Sequence, residues 1–371
     1  AGAKVFDYYA GAIGHLCGQT IPVARGGFDF TLRQPMGVIA AITPWNFPFL
    51  IACWKVAPAL AAGNSVVLKP ASLTPLTALM LGQLAQEAGL PDGVLQVVPG
   101  SGSEAGNALA THPLVRKIGF TGSTEVGATI MKLAADDIKR VSLELGGKSP
   151  NIVFADADWQ RAAAESPMSV FANTGQDCCA RSRMFIEQSI FDGFVDQFVA
   201  ATESLKIGDP TDEATQVGPM VSAAQRELSE SHIAGARDAG REIRTGGDRP
   251  NGGGFYLNPA VVTGVETEDR AWREEIFGPV VCLRPFTDET EMLREVNDTN
   301  FGLSGSVWSN DLSRALRVAR QVESGVISIN SHSSVHTEAP FGGFKRSGLG
   351  RDLGMSAMEA CTEVKNIYVG E

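Results

Sequence analysis

Short apolar runs alternate with helical stretches up to about residue 150 of the chain. Apolar runs at 37–43, 65–70 and 94–100 predict buried strands, and the segments 54–62 and 77–88 have helical patterns. Two further apolar runs predict strands at 117–123 and 142–150. This order of elements is typical of βαβ units on a parallel sheet, which binds ligands at the carboxyl ends of its strands.

A second α/β unit is predicted to begin near Asn151. Its helices are predicted at 159–173, 192–205, 223–239, 289–297 and 312–322. Its strands are predicted at 151–158 (with a turn), 183–191, 260–265, 280–286, 305–309 and 325–330. The segment 209–220 is polar and loop-like, and 246–255 is a glycine-rich surface loop.

Two segments fit neither unit. Residues 19–33 alternate between apolar and polar around Gly26 and Gly27, which is typical of a hairpin, and 363–369 predicts a final short strand. Exposed strands of this kind tend to pair with another subunit, because a free strand edge offers unsatisfied backbone groups. We therefore expect a homodimer or a homotetramer.

Length and net charge indicate the number of domains and exclude some classes of binding partner. A chain of 371 residues exceeds the usual limit for one core, so two domains are expected. The net charge of −11 argues against nucleic acid and against an anionic membrane, because both would repel the protein. No apolar run approaches the roughly 20 residues that cross a bilayer, and the first residues lack the pattern of a signal peptide.

The cysteines and histidines do not show the spacing of a metal site. The chain has six cysteines and five histidines, without a CxxC pair, and His332 and His336 have no neighbouring ligand motif. We therefore expect no metal site of the zinc type. Scattered cysteines in a chain of this size are typical of a reducing compartment, which predicts a cytoplasmic protein.

Cys178 is a candidate nucleophile in the segment GQDCCA, a glycine-led turn between a predicted helix and a predicted strand. Nucleophiles are often displayed on such loops, although most cysteines are buried structural thiols. The adjacent Asp177 should disfavour the thiolate, so a positive charge would be needed nearby.

Glu144 and Asn46 are two further candidates at the ends of predicted strands. Glu144 lies between apolar residues and a Gly-Gly pair in ELGGK, where desolvation would suit a general base; a structural salt bridge is the alternative. Asn46 lies between two prolines in TPWNFP, where a rigid amide could stabilise an oxyanion or complete a turn.

The segment GFTGSTEVG at 119–127 opens a helix after a strand. Backbone N–H groups at such a helix start suit a pyrophosphate, although the run only approximates the dinucleotide fingerprint. Lys69 ends another predicted strand, where a cation could hold ribose hydroxyls or a phosphate.

Taken together and in this order, the motifs resemble the aldehyde dehydrogenase superfamily, of the NAD(P)-dependent, non-acylating kind. The matching stretches cover nearly the whole chain: TPWNFP (43–48), LKPASLTP (68–75), FTGSTEVG (120–127), LELGGKSP (143–150), GQDCCARSR (175–183), EEIFGPV (274–280) and PFGGFKRSGLGR (340–351). The resemblance implies an α/β fold with a Rossmann-like cofactor domain, an α/β catalytic domain and a small β oligomerisation arm. It implies the cofactor domain at 1–18 and 34–146 with a return at 347–361, the catalytic domain at 147–346, and the arm at 19–33 and 362–371.

The resemblance also implies a role for each motif residue in aldehyde oxidation. Cys178 matches the nucleophile, Glu144 the general base, Asn46 the oxyanion donor together with the backbone N–H of Cys178, and Lys55 a lysine of a proton relay. Cys179 would have no direct role. The implied contacts to NAD or NADP are Trp45, Lys69, Ser72, Gly122, Ser123, Gly127, Leu145, Glu275 and Phe277.

The substrate implied by the resemblance is a small aldehyde in an aromatic tunnel. By family position, the tunnel would be lined by Phe47, Ile51, Trp54, Phe171 and Phe341. Asp177 at its base and Glu338 near its mouth would favour a cation, and aromatic rings can stack on an ammonium group. We therefore hypothesise an aminoaldehyde or betaine aldehyde as substrate.

Three departures from the family pattern bear on this reading. Ser72 stands where many NAD-specific members have a glutamate, so a 2′-phosphate should be tolerated. Asp352 stands where glutamate is more usual, which puts the relay through Lys55 in doubt. Family members also have a long segment before the helix that contains YYAG, so the cofactor domain is expected to be incomplete here.

Two other functions compete with this reading. The chain could be a catalytically impaired fragment, or a binding relative that has kept the motifs by descent. It could also be an acyltransferase that forms a thioester on Cys178 without redox chemistry, although Glu275 would then have no obvious function.

Overall fold

The computed structural model describes residues 1–370, which divide into two compact units. Unit 1 comprises 1–145, 335–342 and the residues from 348 onward, and unit 2 comprises 146–334 and 343–347. The helices are α1 Gly2–Ala12, α2 Pro48–Ala61, α3 Leu76–Glu87, α4 Asn107–Thr111, α5 Thr124–Ala135, α6 Trp159–Phe171, α7 Phe191–Glu203, α8 Ala223–Asp238, α9 Arg270–Arg273, α10 Glu289–Asn297, α11 Leu312–Gln321 and α12 Gly354–Glu359.

The strands form three sheets. They are β1 Thr20–Ile21, β2 Phe28–Pro35, β3 Val38–Ile42, β4 Ser65–Lys69, β5 Leu95–Val97, β6 Val115–Thr121, β7 Arg140–Glu144, β8 Pro150–Val153, β9 Arg183–Glu187, β10 Glu242–Thr245, β11 Ala260–Thr263, β12 Val280–Phe286, β13 Ser304–Trp308, β14 Val326–Ile329, β15 Gly348–Leu349 and β16 Thr362–Val369. Among residues 1–370, no helix is both long and apolar enough to cross a bilayer.

The main sheet of unit 1 has the order β15-β7-β6-β3-β4-β5. Its strands are parallel except for β15, which runs antiparallel to β7. The chain moves outward from β3 through β4 to β5 and then returns to the other side of β3 as β6. Such a reversal of strand order opens a crevice at the carboxyl ends of β3 and β6, where α/β sheets bind ligands.

A second sheet of unit 1 is the predicted arm. Strand β2 pairs antiparallel with β1 and, over eight residue pairs from Phe28↔Val369 to Thr362↔Pro35, with β16. Apolar side chains of this arm are exposed at Phe28, Leu32, Val364, Tyr368 and Val369. The hairpin and the final strand are therefore one sheet, with exposed apolar residues on both of its faces.

The sheet of unit 2 has the order β10-β11-β12-β9-β8-β13-β14, and only β10 is antiparallel to its neighbour. Successive side chains of its central strands face opposite cores. Ile152 and Phe185 belong to one buried apolar cluster, and Val153 and Met184 belong to another. A parallel sheet covered on both faces needs apolar residues at consecutive positions, which explains the uninterrupted apolar runs in the sequence.

The α/β fold is thus confirmed, and the deviations are local. Helix α2 begins at Pro48 rather than at 54, because proline is well suited to the first turn of a helix. Helix α6 ends at Phe171 rather than at 173, because Asn173 and Thr174 have positive φ angles of 51° and 59°. The short elements α4, α9, β10, β15 and α12 were not predicted, since segments this short carry too little periodicity.

Candidate active site

The carboxyl ends of β3 and β6 in unit 1 have features of a ligand site. Thr43 and Thr121 lie at these two ends, and the hydroxyl oxygen of each is buried without a hydrogen-bond partner in residues 1–370. Buried polar groups are normally paired, and an exception calls for an explanation such as a bound ligand. Both hydroxyls lie at the strand reversal, where a nucleotide would be expected.

The connection from β6 to α5 fits a pyrophosphate. The Ser123 hydroxyl caps the 12-residue helix by accepting from the Val126 N–H at 3.4 Å. A Cβ at Gly127 would lie 2.6 Å from the Leu145 side chain, so any larger residue here would require that side chain to move. The Gly122 N–H donates to the Glu144 carbonyl at 3.1 Å and is therefore engaged within the protein. The remaining N–H groups of the first turn and the helix dipole suit an anion.

Lys69 and Ser72 lie at the end of β4. The ammonium of Lys69 donates to the Pro70 carbonyl at 2.8 Å, and burial lowers the pKa of this lysine. Ser72 is exposed and donates to the Gly100 carbonyl at 3.0 Å. Position 72 therefore carries no negative charge.

Glu144 is the last residue of β7 and is 3% exposed. A Cβ at Gly342 would lie 2.6 Å from its carboxylate oxygen, so the glycine at 342 leaves room for this carboxylate. Asn46, by contrast, is half-buried in the turn that precedes α2. Neither side chain is fully exposed to solvent.

Lys55 and Asp352 form a buried ion pair in unit 1. The Lys55 ammonium lies 2.8 Å from the Asp352 carboxylate, and the two side chains are 3% and 8% exposed. The backbone of Asp352 is fixed by two hydrogen bonds with Phe341, at 2.7 and 2.8 Å. Although the side chain of Asp352 is shorter than that of the glutamate more usual at this position, its carboxylate therefore still reaches Lys55.

The predicted substrate residues have different environments. In unit 1, the rings of Trp54 and Phe341 pack edge to face at 5.4 Å, Ile51 is 3% exposed, and Phe47 is half-buried. In unit 2, Phe171 has no exposed surface and packs against Phe198 in the core. A fully buried ring cannot contact a substrate, so we exclude Phe171 from the substrate site.

Glycines position the Cys178 loop of unit 2. A Cβ at Gly175 would lie 2.2 Å from the Gly278 carbonyl, and one at Gly147 would lie 2.2 Å from the Cys178 carbonyl. Gln176 completes the loop by accepting from the Val221 N–H at 2.8 Å and donating to the Asn173 carbonyl at 3.0 Å. The glycine and glutamine of the GQ motif therefore have structural duties that hold Cys178 in place.

The electrostatics of this loop disfavour the thiolate. The pKa of the Cys178 thiol is raised by its hydrogen bond with the Cys179 side chain, by burial, and by the charges of Asp177 and Glu275. Burial also raises the pKa of Asp177. Near neutral pH, Cys178 is therefore a protonated thiol unless a positive charge or a base assists it.

Arg181 is a buried cation of this loop that the sequence analysis did not single out. It is 1% exposed and donates to the Cys179 carbonyl at 2.5 Å, the Ser306 hydroxyl at 2.9 Å and the Gly305 carbonyl at 3.2 Å. An arginine three residues after the candidate nucleophile was visible in the sequence, but nothing in the spacing indicated that it is buried.

Glu275 belongs to the same part of unit 2. Its carboxylate accepts from the Gly147 N–H at 2.9 Å, and a Cβ at Gly146 would lie 2.2 Å from it. Phe277, two residues on, has a positive φ of 53°, a strained conformation for an aromatic residue. In unit 2, the charges of Asp177 and Glu275 therefore both act on the Cys178 thiol. Gly146 lies beside Glu275, and Gly147 lies beside the Cys178 carbonyl.

Comparison with known proteins agrees with these motifs. Residues 1–367 match the model of the aldehyde dehydrogenase family. Betaine aldehyde dehydrogenase 1 of Oryza sativa subsp. japonica is 46% identical, over 98% of this chain and 74% of that protein. An NAD⁺ complex of an aldehyde dehydrogenase from Bacillus cereus is 40% identical with a TM-score of 0.97, covering 100% of this chain and 75% of that one. An NADP-dependent enzyme of E. coli is 41% identical with a TM-score of 0.98, covering 100% and 77%.

We predict that Asp177 suppresses the reactivity of Cys178. In Asp177→Asn, loss of the negative charge should lower the thiol pKa, and alkylation of Cys178 by iodoacetamide should become at least about threefold faster near neutral pH. The rise of the rate with pH should also move to lower pH. Mass spectrometry of the peptide would measure the rate, with the exposed Asp192→Asn as control. An unchanged profile in Asp177→Asn would contradict this account.

Proposed function

Because the chain belongs to the aldehyde dehydrogenase family, an NAD(P)-dependent family, we propose that it oxidises an aldehyde to a carboxylic acid through a covalent intermediate on Cys178. The observation that carries this proposal is the Cys178 loop, which is fixed by Gly175 and Gly147 and leaves residue 178 half-buried rather than fully enclosed. A structural core thiol would need neither constraint.

The first step is addition of the Cys178 sulfur to the aldehyde carbon. The S–H proton passes to solvent, and the electron pair of the carbonyl bond moves to oxygen, which becomes the oxyanion of a thiohemiacetal. The Asn46 amide and the backbone N–H of Cys178 donate to this oxyanion, and fixed donors of this kind are worth about 3–4 kcal/mol each in related reactions. NAD or NADP, when bound, supplies the hydride acceptor that turns this adduct into a thioester.

The second step is hydrolysis of the thioester. Glu144 takes a proton from the attacking water, the hydroxide adds to the acyl carbon, and the carbon–sulfur bond breaks to release the acid and the Cys178 thiolate. The confined position of Glu144 beside Gly342 supports this role, because a desolvated carboxylate is the stronger base. Transfer of the acyl group to coenzyme A would not require a glutamate at this position. The Lys55–Asp352 pair is proposed to pass the released proton onward.

The residues of the cofactor site are proposed in two groups. Lys69, Ser72, Ser123 and Gly127 would bind the adenosine ribose and pyrophosphate, supported by the helix start and the unpaired threonine hydroxyls described above. Glu275 would accept from the nicotinamide ribose, with Phe277 against the ring. Trp45, Gly122 and Leu145 would complete the binding surface through packing and backbone contacts.

We further propose that the arm joins subunits into a homodimer or a homotetramer. The exposed apolar side chains on β2 and β16 support this, since an isolated three-stranded sheet gains stability when such a surface is covered.

The proposed substrate is an aminoaldehyde or a betaine aldehyde. The carboxylates of Asp177 and Glu338 would attract the cationic end of such a molecule, and the pair Trp54 and Phe341 offers aromatic surface. The name of the rice relative, a betaine aldehyde dehydrogenase, is in keeping with this class.

The roles of Cys178 and Glu144 can be separated by pre-steady-state kinetics. Glu144→Gln should release a single equivalent of reduced cofactor per site and then stall as the thioester, with steady turnover lower by about 10²–10⁴-fold. Cys178→Ser should give no burst. Absorbance of the reduced cofactor measures both, with the exposed Glu87→Gln as control. Full turnover by Glu144→Gln would exclude the general-base role.

The substrate class is tested by the ratio of kcat/KM for 4-aminobutyraldehyde and for hexanal. We expect the aminoaldehyde to be preferred by about tenfold or more, because attraction of one charge is worth roughly 1–2 kcal/mol in a partly buried site. A clear preference for hexanal would rule out the cationic substrate while leaving aldehyde oxidation intact.

The cofactor prediction concerns Ser72. Ser72→Glu should raise the KM for NADP by about tenfold or more and leave the KM for NAD nearly unchanged, because the new carboxylate would repel only the 2′-phosphate. Steady-state kinetics with each cofactor, beside the neutral Ser72→Gln, separates charge from size. An equal effect on both cofactors would show that Ser72 does not lie at the 2′-position.

A further inference from the structure

Three potential metal ligands meet in the Cys178 loop. The Asp177 carboxylate and the sulfur atoms of Cys178 and Cys179 all lie within 4.8 Å of one another. Cys178 hydrogen-bonds with both of the other side chains. The three potential ligand atoms are therefore already close together before any cation binds.

We propose that Asp177, Cys178 and Cys179 chelate a thiophilic divalent cation, Zn²⁺ or Cd²⁺, through two thiolates and one carboxylate oxygen. Zinc prefers four ligands of this kind, at about 2.3 Å for sulfur and about 2.0–2.2 Å for oxygen. Tetrahedral ligands at those lengths are separated by about 3.5–3.8 Å. The three ligand atoms lie within 4.8 Å of one another, so an approach of about 1 Å brings them to this spacing. The fourth position of the cation then remains open.

The charge balance of the loop supports this site. Binding releases the two thiol protons to solvent, so a divalent cation with two thiolates and one carboxylate carries a net charge of −1. The buried guanidinium of Arg181 donates to the Cys179 carbonyl and supplies the compensating positive charge. This positive charge offsets the charge of the chelate itself and so lowers the cost of placing the chelate in the interior.

The site is also accessible. A cavity of about 450 Å³ is lined by Asp177, Cys179 and Arg181 and reaches the exposed residues Glu165 and Met168. His332 lines the same cavity, but its ring nitrogens lie 3.2 and 3.4 Å from the hydroxyls of Ser166 and Ser306. We therefore assign the open fourth position to water, which makes the cation exchangeable rather than structural.

The chelate would hold the sulfur of Cys178 away from an aldehyde. This consequence rests on the proposed role of Cys178, whereas formation of the chelate does not. Zn²⁺ should therefore inhibit the dehydrogenase reversibly, and a strong chelator should restore activity.

Cadmium titration of the full-length reduced chain tests the site directly. Cd²⁺ should bind one per chain, produce the ultraviolet thiolate-to-cadmium charge-transfer band, and release about two protons near neutral pH. Cys179→Ser should bind more than about 100-fold more weakly, since even outer partners of a metal ligand contribute 10–100-fold. The matched control Cys17→Ser removes an exposed cysteine and should bind as the wild type does.

Two outcomes would overturn the proposal: no charge-transfer band in the wild type, or equal affinity in Cys179→Ser. Protection of Cys178 from iodoacetamide by Zn²⁺ provides a second readout in the wild type that needs no variant, and its absence would also overturn the proposal. If the chain binds cadmium but oxidises no aldehyde, the proposed function is refuted, whereas the proposed chelate is supported. Zinc inhibition should weaken in Cys179→Ser in proportion to the loss of cadmium affinity.

Discussion

The candidate active site depends on the close approach of backbone segments at glycines of unit 2. A side chain at Gly147 would collide with the carbonyl of Cys178, and one at Gly175 would collide with the carbonyl of Gly278. At 2.2 Å, neither contact can be relieved by rotating a side chain, because the obstacle is backbone. The nucleophile loop, the Gly146–Gly147 segment and Glu275 can therefore adopt their observed arrangement only with glycine at these positions.

Most of the fold was predictable, because each strand or helix can be recognised from the residues of its own segment. Buried parallel strands require consecutive apolar residues, so β3, β4, β6 and β12 were visible as runs with boundaries correct to within two residues. The predicted ends of β7 and β9 were six and four residues too late. The strand order was not visible, because it depends on contacts between residues far apart in the sequence. The reversal between β3 and β6 and its two unpaired threonine hydroxyls therefore emerged only from the structure.

The site was predictable where a motif carries chemistry in its own residues, and less so where partners are distant. Cys178, Glu144 and Glu275 stand out within short motifs. The pairing of Lys55 with Asp352 spans nearly 300 positions, and the sequence suggested that the shorter side chain would weaken it, yet backbone hydrogen bonds to Phe341 bring the carboxylate within 2.8 Å. Phe171 shows the opposite error: a family position predicted a substrate contact, but the ring belongs to the core beneath the loop.

The negative surroundings of Cys178 connect catalysis with metal binding. Asp177 and Glu275 raise the thiol pKa, which costs reactivity in the free enzyme but makes the loop attractive to any cation. A positively charged ring beside the sulfur would favour the thiolate for the same electrostatic reason that a divalent cation would. Arg181 cannot fill this role alone, because its hydrogen bonds go to Cys179, Gly305 and Ser306 rather than to the reactive sulfur. Under the proposed function, the same charge pattern would make Cys178 dependent on a bound cationic group and would favour its binding of thiophilic metals.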